Sequence, residues 1–226
     1  MSEGKPKKTR GEILEFVVVI MLGITAVATA WSSWQGGLHG SQMDQKYTKS
    51  NNFASEGNSE YNAGIQSLTQ DMMLYNEINN LMIDEVFAES KGDEDEMEKI
   101  SWKIGELIEG NMSAGMYAAF EWAMAESHAR GETVSPFDME GYVDTYFEYA
   151  NELLAESAVM LEEGNANNTH SDNQGLVSVI YAVVLFLLGI SASFKRDREK
   201  YVLLAVSAVG FVAATIFMFT IPVVFP

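Results

Sequence analysis

Apolar residues gather in three charge-free runs, at 16–34, 176–194 and 201–225, and a long polar segment separates the first run from the second. None of the three runs contains Asp, Glu, Lys, Arg or His. At 1.5 Å of rise per residue, about 19 helical residues cover a hydrocarbon core of about 30 Å. The pattern predicts an all-α integral membrane protein with transmembrane helices at 13–34, 175–194 and 201–226. An elongated extracytoplasmic helical bundle at 35–174 is inserted between spans 1 and 2.

Within the insert the period changes. Tyr61, Ile65, Leu68, Met72, Tyr75, Asn79, Met82 and Val86 alternate by four and three residues, the a/d spacing of a coiled-coil seam, with Asn79 as its polar interruption. Upstream, small or polar residues such as Ser50, Ala54 and Gly57 fill the row. Lys91-Gly92 ends this helix, and Asp93 with Glu96 three residues later opens the next, which the pattern carries to about Ala129. Ser135-Pro136 with Asp138 starts a third helix, expected to run to about Glu163 and stop at 164–168. The first span is expected to continue into the insert, with the glycine-rich stretch 36–40 as a kink. No alternating β-branched run occurs between 35 and 174, which argues against strands.

Charge sets the orientation. Lys5, Lys7, Lys8 and Arg10 precede span 1, and Lys195, Arg196, Arg198 and Lys200 fill the link between spans 2 and 3. Short basic segments beside membrane ends stay on the cytoplasmic side. Residues 1–12 and 195–200 are therefore expected inside a plasma membrane, with 35–174 and the C-terminal end outside. Trp31 and Trp34 suit the interfacial belt at the outer end of span 1. The basic start and Ala28-Thr29-Ala30 also resemble a cleavable signal. The apolar run continues through Trp31 and Trp34, however, which favours an uncleaved anchor.

The insert holds 27 of the 32 acidic residues and six of the 14 basic ones, a net charge near −21. Such a surface repels nucleic acid and attracts cations or basic proteins of the envelope. With no cysteine in the chain, disulfide and thiol chemistry are excluded.

Candidate chemistry is sparse. Glu140, Asp144, Glu148, Glu152 and Glu156 recur every four residues, a carboxylate row that a continuous third helix would carry on one face. Like charges at that spacing oppose the helix by a few tenths of about 1 kcal/mol per pair, so cations or basic groups are expected nearby. One row is too few ligands for Ca²⁺, and the row is read as a weak cation-attracting face, not a metal site. His39, His128 and His170 are scattered, and no Glu-x-x-His, His-Glu-x-x-His or Gly-x-Ser-x-Gly pattern occurs. Ten methionines in the insert read as adaptable core filler. Neither an enzyme nor a cofactor is expected. Asn111-Met112-Ser113 and Asn167-Asn168-Thr169 match the glycosylation sequon, the first mid-helix and the second in a loop. Small residues at helix-packing spacing mark the spans: Ala26 with Ala30, Gly189 with Ser193, and Gly210 with Ala214.

Ala30-Trp31-Ser32-Ser33-Trp34-Gln35, Ser135-Pro136-Phe137-x-Met139-x-x-Tyr142, Ser171-Asp172 and Leu185-x-x-x-Gly189-Ile190-Ser191 follow one another along the chain. In that order they resemble a family of uncharacterised prokaryotic membrane proteins. The resemblance implies three spans and a helical outer insert, and it brings no activity and no site residue.

Two functional expectations follow. The first is a non-enzymatic membrane protein whose acidic insert mediates self-association, as a homo-oligomer, or recognises a partner in the envelope. The second is a homo-oligomeric cation-conducting pore with the acidic insert as its vestibule.

Overall fold

The computed structural model describes residues 10–194 and 196–225. The expectations that rest on Lys5, Lys7, Lys8, the Arg10 side chain, Lys195 and Pro226 lie outside the described residues. Among the described residues the chain is all-α, with α1 at Arg10–Lys91, α2 at Glu94–Asn111, α3 at Ala114–Arg130, α4 at Glu148–Ser191 and α5 at Asp197–Met218. Two 3₁₀ turns, Pro136–Asp138 and Val143–Tyr146, lie between α3 and α4. Three helices, α1, α4 and α5, are long and apolar enough to cross a membrane. The chain divides into two compact units, one of Met1–Ser50 with Val159–Pro226, the other of Asn51–Ala158.

In the first unit the buried positions of α1, Leu14, Val18, Thr25, Ser32, Gln35 and His39, are three, four or seven residues apart and so share one face. The facing row of α4 is Val177, Tyr181, Val184, Leu188 and Ser191, alternating by four and three. Ala214 of α5 and Ile221 close one cluster with Val177 and Tyr181, while Val18, Val184 and Leu188 form another. A Cβ on Gly210 would stand 3.2 Å from Val184 Cγ2, so this glycine sets the approach of α5 to α4. Lys200 joins the start of α5 to Glu15 of α1 at 3.0 Å.

Several expected packing positions are not covered within the single chain. Gly189 has open space around it, and Ser193 is exposed beyond the end of α4. Ala26 and Ala30 are also exposed. The reason is the α4 row itself, because Tyr181 and Leu188 bring larger side chains to the interface and turn the small ones away.

No helix break occurs at 36–40. Gly36 and Gly40 face α4 closely, with built Cβ positions 3.3 Å from Gln174 Cβ and 3.6 Å from Ser171 Oγ, so they serve packing. The expected stop at 164–168 is likewise overridden. Gly164 lies under the Tyr47 ring, where a Cβ would come within 2.5 Å of ring carbons. Asn165 Oδ1 accepts from the Tyr47 hydroxyl at 2.8 Å, and Asn167 Nδ2 donates to the Glu163 carbonyl at 3.0 Å. Tertiary contacts thus absorb residues whose propensity is to end helices. The second sequon therefore sits inside α4 and not in a loop.

In the second unit, Gly92 (φ +70°) ends α1 and Asp93 caps α2, accepting from Glu96 N at 3.2 Å. The single helix expected to reach Ala129 is two. Ser113 accepts from Met116 N at 3.1 Å and caps a new start, so the first sequon spans a break. Ser135 caps the expected start and forms a capping box with Asp138, but Gly141 (φ +78°) follows at once. A left-handed residue stops α-helical propagation, so α4 begins only at Glu148. The third helix is therefore short turns followed by the start of α4.

The expected seam is displaced. Gly57, Gly64, Asp71 and Ile78 of α1, seven residues apart, are buried, as is Ala88 near its end. The first four alternate with half-buried Leu68, Tyr75 and Met82, whereas Tyr61, Ile65, Met72 and Val86 are exposed and Asn79 is half-buried. A Cβ on Gly64 would collide with the Tyr146 carbonyl, and one on Gly57 would lie 3.0 Å from Leu154 Cγ. Backbone proximity selects the glycine row, which an apolar count passes over.

Candidate functional site, an apolar cleft beside a buried carboxylate

The core of the second unit is Met116, Ala119 and Tyr142, flanked by Tyr75, Phe137 and Tyr146. Asp71, at 9% exposure, points into it from α1. The Tyr142 hydroxyl donates to Asp71 Oδ2 at 2.7 Å, and the Tyr146 hydroxyl donates to the same oxygen. The two hydroxyls lie 2.5 Å apart, and Met116 Sδ lies 3.3 Å from Tyr142. The 3₁₀ turns at 136–146 deliver both phenols to α1.

Burial, reinforced by these hydrogen bonds, pushes the Tyr142 phenol well above its ordinary value. Tyr146 is pushed up to about 12, by burial first and then by Asp71. Both therefore stay protonated and act as donors to the carboxylate. Such a group fixes geometry: it ties the 136–146 segment to α1.

Tyr75 links this cluster to a cleft of about 440 Å³ lined by α1 from Tyr75 to Ser90, by α3 from Phe120 to Ser127, and by Thr133 and Val134. Its floor is apolar, and Ile83, Val86, Phe87 and Met124 on its walls are 48%, 64%, 61% and 47% exposed. Two of its hydroxyls are committed to the fold. Ser127 Oγ donates to Ala123 O at 2.7 Å and accepts from Val134 N at 2.8 Å, and Ser90 Oγ donates to Phe87 O at 2.8 Å. Asp84, Glu85 and Glu89 share the cleft's turns of α1, as Glu121 and Glu126 share those of α3. A concave apolar site of this size with a few polar groups has the form of a ligand or partner site.

The first unit carries a second built region where α1 and α4 turn polar. Ser32 Oγ donates toward Gln174 O and Oε1, at 2.8 and 2.7 Å. Gln35 holds the segment after α5 in both directions, donating to Val224 O at 3.0 Å and accepting from Val224 N at 2.9 Å. The ring nitrogens of the buried His39 lie 3.1 Å from Asn167 Oδ1 and 3.0 Å from Pro222 O. Trp31 and Trp34, exposed, meet edge to face at 5.2 Å.

The carboxylate row is not one helical face. Glu140 lies in a turn and Asp144 in a 3₁₀ turn, leaving Glu148, Glu152 and Glu156 on α4. All five are exposed, and among the described residues no three acidic or histidine groups are placed to hold a metal. Gly141 is the cause, since it breaks the periodicity on which the row depends. Of the seam residues, Tyr75, Asn79, Met82 and Val86 meet at the cleft, while Tyr61 stacks on Phe147 at 4.8 Å.

Sequence reasoning passed over Asp71, Gln35, Gln174 and the α3 wall. For Asp71 a signal existed: the row Ser50, Ala54, Gly57 extends in phase to Tyr61, Gly64, Leu68 and Asp71. Comparison with protein-family models, with curated protein sequences and with solved structures returns no match.

Proposed function

We propose that the protein is a non-enzymatic recognition module of the cell envelope. Its N-terminus and the α4–α5 link face the cytoplasm, and residues 35–174 face outward. The cleft between α1 and α3 takes apolar side chains of a partner. The observation that carries this reading is the cleft itself, apolar within and lined by exposed Val86, Phe87 and Met124. Charge selects the partner's class. A second copy would bring another insert of net charge near −21, whereas a segment with basic residues flanking its apolar anchors gains on both counts. The dispersed carboxylate row weakens the geometric case for a cation vestibule.

The test uses the full chain in detergent and a labelled helical Lys/Leu peptide as probe, read by fluorescence anisotropy. Each buried Phe or Met side chain contributes about 1.5–3 kcal/mol, so Phe87→Asp with Met124→Asp should weaken binding at least about tenfold. Charge alone makes the opposite forecast, because both substitutions add negative charge. Unchanged or tighter peptide binding by the double variant would overturn the reading.

A further inference from the structure

The two glycosylation sequons, Asn111-Met112-Ser113 and Asn167-Asn168-Thr169, meet opposite fates in the fold. Transfer of an oligosaccharide to asparagine needs the side-chain nitrogen free and the hydroxyl two positions on within reach of the same enzyme. An α-helix turns about 100° per residue, so positions i and i+2 stand about 200° apart and face different ways. In an extended chain the same two positions fall on one side. Backbone conformation therefore selects which sequon an enzyme can grip.

Asn167 lies in the middle of α4. Its carboxamide is engaged at both atoms: Nδ2 donates to the Glu163 carbonyl at 3.0 Å, and Oδ1 lies 3.1 Å from Nδ1 of the buried His39. The Thr169 hydroxyl donates to the Asn165 carbonyl at 3.0 Å. Asn111 is the reverse case. It is the last residue of α2, it is exposed, and among the described residues its carboxamide has no hydrogen-bond partner. A Cβ built on the neighbouring Gly110 meets nothing within 4 Å, so the ground beside Asn111 is open. The chain then leaves the helix. Met112 (φ −83°, ψ 127°) and Ser113 (φ −67°, ψ 157°) are extended, and Ser113 is exposed. Met112 packs on the core of Met116, Ala119 and Tyr142, which holds the extended conformation in place. Ser113 Oγ accepts from Met116 N at 3.1 Å and stands beside the Tyr146 hydroxyl. Docking on an enzyme exchanges these bonds at an exposed helix start, where local opening is easiest.

We propose that Asn111, and not Asn167, is an acceptor of N-linked oligosaccharide. The donor is a sugar chain joined through phosphate to a polyprenyl carrier, and the catalyst is an oligosaccharyltransferase of the host. Asn111 Nδ2 attacks the anomeric carbon of the first sugar. A C–N bond forms and the C–O bond to phosphate breaks. The carrier phosphate leaves with the electron pair, and one amide proton passes to a carboxylate of the enzyme. The proposal rests on the outward orientation of residues 35–174 and is independent of the α1–α3 cleft.

The test takes the full chain from membranes of its own host and digests it with trypsin, which separates the two sequons into peptides 104–130 and 131–195. Mass spectrometry should find peptide 104–130 heavier by a whole number of sugar residues and peptide 131–195 at its unmodified mass. Asn111→Gln should abolish the increment. Ser113→Asp should abolish it too, because aspartate keeps the cap of α3 and removes the sequon hydroxyl. Circular dichroism checks that both variants keep their helices. Orientation is read separately, by labelling Glu60→Cys in intact cells with a membrane-impermeant maleimide. An unmodified peptide 104–130 with Glu60→Cys labelled would overturn the proposal alone. An unmodified peptide with Glu60→Cys unlabelled would overturn it together with the outward orientation. Sugar on peptide 131–195, or an increment that survives Ser113→Asp, would also overturn it.

Discussion

At the scale of residues, the second unit turns on Asp71. Its carboxylate is covered, and two phenols donate to the same oxygen. Removing one partner of a buried charge leaves the other unsatisfied, at a cost of about 1–3 kcal/mol or more. Tyr146→Phe should therefore lower the unfolding midpoint, and Asp71→Leu, which removes the charge itself, should cost less than the sum of the two tyrosine deletions. The phenols also predict a pH dependence. Both are raised above the unfolded value near 10, so the stability they contribute is complete below pH 10. It is lost as pH rises from 10 through the folded value, about 12 for Tyr146. A denaturation series should show this fall, with a smaller one in Tyr146→Phe; identical profiles would dismiss the coupling. Asp71 did not stand out in the sequence, because a lone acid among 32 carries no pattern until its neighbours Gly57 and Gly64 are recognised as buried.

At the scale of elements, α1 is decided by which row faces inward. The observed row puts Ile78 at 0% exposure and leaves Ile65 at 43%. Ile78→Ala should cost about 2–5 kcal/mol, and Ile65→Ala should stay within about 0.5 kcal/mol. Equal costs measured by urea denaturation would restore the apolar seam. Glycines give a parallel contrast. Gly64→Ala forces a Cβ into the Tyr146 carbonyl, whereas Gly37, with open space around it, should gain up to about 1 kcal/mol as alanine. The helix start at Asp93 was legible, because its side-chain cap acts locally, whereas the cap at Ser135 opens only a 3₁₀ turn that Gly141 cuts off from α4. Helix ends were not legible at 164–168, because the Tyr47 contacts that override the stop come from more than 100 positions away in sequence.

At the scale of the whole molecule, three apolar helices and a charge-asymmetric chain were legible because hydropathy and net charge need no tertiary information. The cleft was not, since its α1 and α3 walls meet only through packing. The cysteine-free chain allows single cysteines to report orientation. Ser193→Cys, exposed at the α4–α5 turn, should resist a membrane-impermeant maleimide until cells are lysed. Labelling in intact cells would reverse the proposed topology. The most direct measurement of recognition is the labelling rate of Val86→Cys in intact cells, with and without the Lys/Leu peptide. The account expects prompt labelling without peptide and at least several-fold slowing with it, while Glu60→Cys, remote from the cleft residues in α1, is unaffected. No labelling before lysis, or equal slowing at both positions, would contradict an outward-facing recognition cleft.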